Sequence, residues 1–343
     1  MIPPPCRMPR PYPTANALGR RLLSFVVPLI LVGSGVVSAA DDKARIEFRP
    51  PTAAERLRAL GPTGHLPVGL RRALEATEGF EPVPAPSESD WLGAHKEPGQ
   101  TFAEFERSRP HRPDNKRRVL YLQPLGDFEE NAPRLDDLKA CCAAFFSLET
   151  RVLPAIDLGE VRARSRVRAS GRIQYVSGDI REYLRTRLPE DGYSLLGITM
   201  GDLYTIHNGT PWNFVFGEAS LQDRAGVFSF ARHDPAFFGD PPVAETPRLR
   251  FRRGLQVLLH ETCHMFGMQH CVHYHCVVNG SNSLAESDSQ PLHLCPVCLR
   301  KLQSSVGFDV VRRYETQRRL YDNLELSDEA TWTANQLRRI APR

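Results

Sequence analysis

The sequence predicts an α/β fold around a mixed, twisted sheet. Two observations carry this. Between residues 116 and 266, strand-like and helix-like segments alternate, which favours a sheet with helices layered against it. The apolar share of the 343 residues, 41%, is enough to bury a substantial core in one or two domains.

Taken in order, residues 51–61, "PTAAERLRALG", form a helical piece stopped by a glycine, and a second short helix is expected in "VGLRRALEATEGF" (68–80). "EPVPAPSESDWLGAHKEPGQ" (81–100) is rich in proline and serine. Residues 41–115 are therefore expected to be an N-terminal extension with a linker or surface loop. From residue 116 the pattern tightens. "RRVLYLQPLGDF" (117–128) reads as a strand ended by a turn, and "RLDDLKACCAAFFSL" (134–148) has apolar residues at helical spacing. "ETRVLPAIDL" (149–158) is a second strand, and the basic "VRARSRVRASGR" (161–172) has no sustained apolar pattern, so a solvated loop is expected. A helix follows in "GDIREYLRTRL" (178–188) and a buried strand in "YSLLGITMGDLY" (193–204). "WNFVFGEASL" (212–221) and "AGVFSFARH" (225–233) supply two more strands before a long helix in "RLRFRRGLQVLLHETCHMF" (248–266). No internal repeat is visible, and residues 316–343 are expected to be a C-terminal tail.

Charge excludes one class of function. Basic residues number 44 against 40 acidic ones, a formal net charge of +4, which gives no electrostatic case for nucleic acid. The N-terminus is more telling. Arg7, Arg10, Arg20 and Arg21 precede the apolar run 22–37, and the small residues "SAA" (38–40) follow. A positive stretch, a short apolar stretch and a small-residue cleavage site make a secretory signal over residues 1–40; the alternative is an uncleaved membrane anchor through 22–37. An exported (periplasmic or secreted) protein is expected, and the Arg20–Arg21 pair is compatible with export in the folded state.

The long helix ends in "HETCHMFGMQHC" (260–271). His260 and His264 are four residues apart, so on a helix they share one face and their imidazoles can converge on one ion. Glu261 follows the first ligand directly. Its carboxylate can lie beside the metal, where a general base takes a proton from activated water. Gly267 breaks the helix and lets His270 return to the same ion. Three protein ligands leave one tetrahedral position open, the mark of a catalytic zinc. Bare HExxH recurs by chance; the extended HExxHxxGxxH requires five positions to agree.

A second cluster abuts the first. Cys271, Cys276, Cys295 and Cys298 match a four-cysteine structural zinc site, and two disulfides are the competing arrangement in an oxidising compartment. Cys141, Cys142 and Cys263 read as small buried hydrophobes, and Cys6 leaves with the signal.

The fused run "HETCHMFGMQHCVHYHCVVNGSNSLAESDSQPLHLCPVCLRKLQ", with "VLYLQPL", "LLGITMGDLY" and "VFSFARH" upstream, resembles the archaemetzincin family of zinc metallopeptidases over about residues 116–315. The resemblance implies a metzincin-like zincin fold, with a mixed sheet, an antiparallel edge strand, an active-site helix and a cysteine-stapled C-terminal part. It implies peptide-bond hydrolysis, amino- or endopeptidase, with catalytic zinc on His260, His264 and His270 and Glu261 as the base. It implies a second, structural zinc on Cys271, Cys276, Cys295 and Cys298. The strand at 212–220 would be the cleft edge against which an extended peptide pairs. One position departs from the family pattern: Val278 stands where a methionine is expected to floor the site, which leaves a catalytically silent zinc-binding scaffold as the alternative.

Overall fold

A computed structural model describes residues 48–128, 132–241 and 243–340. The expected signal or anchor, the apolar run 22–37 and Cys6 lie outside the described residues.

Four short helices come first: α1 (Ala53–Leu60), α2 (Val68–Glu75), α3 (Trp91–Ala94) and α4 (Phe102–Arg107). Both α1 and α4 begin with a reciprocal capping box, Thr52 with Glu55 and Thr101 with Glu104, which satisfies backbone donors that the first turn leaves without partners. The core alternation follows with β1 (Val119–Leu125), α5 (Leu135–Phe146), β2 (Thr150–Val152), α6 (Leu158–Val161), β3 (Ser165–Val167), β4 (Ile173–Val176), α7 (Ser177–Arg185) and β5 (Gly192–Thr199). The short strands β6 (Asp202–Tyr204), β7 (Ile206–His207) and β8 (Thr210–Pro211) lead to β9 (Gly217–Ala219) and β10 (Ala225–Ser229). The chain closes with α8 (Thr246–Met265), α9 (Leu284–Asp288), α10 (Pro296–Val306), α11 (Val310–Asn323) and α12 (Ser327–Ile340).

The main sheet has the order β2-β1-β5-β10-β9. Its first four strands run parallel, and β9 pairs antiparallel with β10 at the edge. Parallel strands need both faces covered, and side-chain alternation divides them cleanly. Leu120 and Leu122 of β1 and Phe228 of β10 join the core shared with α5 and α8, whereas Val119, Tyr121 and Val227 face a second core with Ile180 and Leu184 of α7. The mixed sheet with one antiparallel edge agrees with the expected fold class.

The structure departs from the sequence reading in four places. The proline- and serine-rich stretch is ordered by α3 and by buried anchors, Val83 and Leu92 among them. The basic stretch forms one arm of a hairpin, because Val167 pairs opposite Ile173 and Arg166 reaches Gln174 across the strands. The strand expected at 212–221 shortens to β9. The expected C-terminal tail is helical and packed through residue 340: α11 and α12 pack together and bury Tyr321, Ala330 and Ile340. All described residues belong to a single compact unit.

Candidate active site

Helix α8 carries the motif. Leu255, Leu258, Leu259 and Met265 lock it against the sheet side of the core, and it packs on β10, β9 and β5. That docking turns His260, Glu261 and His264 toward a cleft of about 1020 Å³ bordered by β9. The helix stops where expected. Gly267 has φ 79°, a left-handed conformation that a side chain would strain, and its N–H donates to the His264 carbonyl at 2.7 Å. The chain then brings His270 back, and the ligand atoms of His260, His264 and His270 all lie within 4.8 Å of one another.

Each imidazole is held by its outer nitrogen. His260 Nδ1 lies 2.9 Å from the Val277 carbonyl, His264 Nδ1 2.7 Å from the Met268 carbonyl, and His270 Nδ1 2.7 Å from Glu97 Oε1. Carbonyl and carboxylate oxygens only accept, so Nδ1 is the donor in every ring and the Nε2 lone pairs are left to converge. His260 and His264 Nε2 are 2.9 Å apart. Both rings are held neutral, His264 pushed down to about 3 by burial and by His270, and His260 well below the usual range by burial and the neighbouring imidazoles. Two lone pairs at that separation repel unless a cation lies between them, so this donor set fits a zinc ion.

Glu261 is buried beside the triad, 5% exposed. Burial first, and then the nearby Glu218 carboxylate, push its carboxyl well above the ordinary range. Room for it comes from the edge strand: a Cβ on Gly217 would stand 2.6 Å from Glu261 Oε1. Glu218 itself accepts from Ser177 Oγ at 2.5 Å and from Arg181 Nε at 3.2 Å.

The four cysteines also come together. The sulfurs of Cys271, Cys276, Cys295 and Cys298 lie within 4.8 Å of one another, all buried, and all four are free thiols rather than disulfides. Cys295 caps α10, its sulfur accepting from the Cys298 N–H at 3.5 Å, while Cys276 sulfur accepts from the Cys295 N–H at 3.3 Å. Backbone N–H groups aimed at sulfur suit thiolates, and four converging sulfurs suit a closed tetrahedral zinc site. Cys141, Cys142 and Cys263 are buried in the main core and belong to neither cluster. Val278 is fully buried, and its carbonyl accepts the Cys271 N–H at 2.9 Å, so the position of the expected methionine is dry and filled by a smaller side chain.

Three residues of the site were not singled out from the sequence. Glu97 holds His270, and Trp91 meets the same ring edge-on at 5.0 Å between centroids. Trp91 also stacks on His95 at 3.9 Å, and both line the cleft. The Glu97 carboxyl lies below its ordinary value: burial, the largest single influence, raises it, but the hydrogen bond from His270 and the attraction of the neighbouring imidazoles together outweigh burial. A tryptophan inside a proline- and serine-rich stretch was the one available hint that this segment docks.

A helix-borne pair of imidazoles, a returning third and a buried carboxylate beside them define a zinc metallopeptidase. The comparisons with known proteins narrow the class. The model of Peptidase family M54 matches residues 150–304. Archaemetzincin-2 from Homo sapiens is 36% identical over 285 residues, spanning 74% of this chain and 77% of that protein. Archaemetzincin-1 from Homo sapiens is 34% identical over 273 residues, spanning 71% of this chain and 52% of that protein. The solved archaemetzincin of Methanopyrus kandleri is 30% identical with a TM-score of 0.44, covering 56% of this chain and 97% of its own. The chain belongs to the archaemetzincin family of zinc metallopeptidases, and its substrates are peptides or proteins.

Proposed function

We propose that His260, His264 and His270 hold a catalytic zinc, that Glu261 is the general base of peptide hydrolysis, and that Cys271, Cys276, Cys295 and Cys298 hold a second, structural zinc. The observation that carries this reading is the convergence of three imidazoles, each fixed through Nδ1, beside a buried carboxylate. Zinc held by these histidines would supply Lewis acidity toward a scissile carbonyl and would acidify the attacking water. Glu261 takes the proton of the attacking water and passes it to the leaving amine, a role that its burial in the cleft beside the three imidazoles supports. The edge strand β9 has a partner on one side only, and its free edge borders the cleft, which suits an extended peptide pairing by β-addition. Gly217 keeps that strand close to Glu261.

Glu261→Gln tests the assignment. The variant keeps its fold and zinc content and loses about 10^2–10^4-fold in hydrolysis of a peptide library, the usual contribution of a general base. The same library separates amino- from endopeptidase action. Hydrolysis that survives the substitution ends the assignment of Glu261.

Export is supported by the positive, apolar and small-residue order of residues 1–40. Among the described residues no helix is long and apolar enough to cross a membrane. N-terminal sequencing of the mature protein is expected to begin just after Ala40, and a chain retaining residues 22–37 in the membrane would instead be anchored.

A further inference from the structure

We infer that Glu97 is a positioning residue for the third imidazole, through which the segment from Trp91 to Gln100 sets the zinc affinity of the histidine site. The inference rests on the reading that His260, His264 and His270 hold zinc.

His260 and His264 are oriented by main-chain carbonyls of neighbouring turns, which no side-chain change removes. His270 differs. It stands beyond the helix end, and its Nδ1 is held at 2.7 Å by a carboxylate that arrives from 173 residues earlier in the chain. A carboxylate behind a ligating imidazole fixes the tautomer, aims the ring and raises the basicity of the ligating nitrogen.

The segment bearing Glu97 is built onto the ligand loop. Gln100 brackets it, its amide donating to the Gly267 carbonyl at 3.2 Å and its carbonyl accepting the Gln269 N–H at 3.2 Å. The buried Lys301 ammonium, 1% exposed, donates to the Gln100 main-chain carbonyl at 2.5 Å and to its side-chain oxygen at 3.1 Å. Lys301 lies on α10, the helix that begins at the cysteine cluster. On the other side Trp91 packs edge-on to His270. Contacts on both sides of Glu97 therefore determine where its carboxylate sits, and with it His270.

The test uses full-length protein and two readouts besides activity: zinc retained against graded small-molecule chelator, and the melting temperature of the metal-free form. The zinc at the histidine site is identified as the ion lost in His264→Ala. Glu97→Ala is expected to weaken that ion roughly 10- to 100-fold. Glu97→Gln, which keeps an acceptor without the charge, falls between Ala and wild type. The cysteine-held ion and the metal-free melting temperature stay unchanged. An unchanged affinity in Glu97→Ala overturns the inference, as does a parallel loss of both ions with a lowered metal-free melting temperature. A wild-type protein with no zinc sensitive to His264→Ala overturns the histidine-site reading itself, and this inference with it.

Discussion

Gly217 and Glu261 illustrate how narrow the tolerances are at the level of single residues. Glycine occupies the edge strand where any side chain would meet the Glu261 carboxylate, its Cβ only 2.6 Å from Oε1 and 2.8 Å from Cγ. Gly217→Ala is expected to push the carboxylate aside and lower kcat roughly 10- to 100-fold, the scale of a misplacement near 1 Å. Zinc content is unchanged, because no ligand is touched; joint measurement of kcat and bound metal checks both parts. A drop in zinc equal to the drop in rate would show that the glycine serves the histidines and not Glu261. His260, Glu261, His264 and His270 were legible in the sequence because their spacing alone encodes convergence on a helix. Gly217 was not, since its neighbour lies 44 residues away and becomes one only when β9 docks beside α8. Val278 sits between these cases: its departure from the family pattern is visible in sequence, and its burial is visible only in the fold.

Elements with strong local codes formed as read. The glycine stop after α1 at Gly61, the apolar period of α5 and the glycine stop at Gly267 each rest on contacts within a few residues. Elements whose order comes from distant partners were misread. Residues 81–100 have linker composition, yet Trp91 N–H donates to Glu286 at 2.8 Å and Lys301 captures Gln100, both from about 200 positions away in sequence. The basic arm of the β3–β4 hairpin follows the same rule. Arg166 donates to the Gln174 side chain and to the carbonyls of Trp212 and Asn213, so charge that looked solvated ties the hairpin to the segment before β9.

Across the whole molecule, stability toward acid depends on buried groups outside the two His and Cys clusters. His233 is buried against the Phe216 and Phe230 rings, its Nδ1 has no hydrogen-bond partner among the described residues, and burial together with the charge of Arg253 pushes it down to about 3. An unfolded histidine titrates near 6.5, so the folded chain takes up this proton more reluctantly than the unfolded one. Its contribution is therefore fully present above about pH 6.5 and is lost as pH falls toward 3. His233→Phe removes the titration, and between pH 6.5 and 4 its stability should decline less than that of wild type by on the order of 2–3 kcal/mol. Denaturant melts of both proteins across that range check this, and parallel pH curves would show that His233 is not the group responsible.

By itself the sequence determined the alternation of strands and helices, the two metal-seeking clusters and the family, because periodicity and short fixed spacings record local geometry directly. The tertiary structure alone decided that residues 91–97 border the cleft, that Glu97 stands behind His270, and that an edge-strand glycine makes room for Glu261. These depend on contacts between segments tens to hundreds of residues apart, and such contacts leave no periodic trace in the chain that makes them.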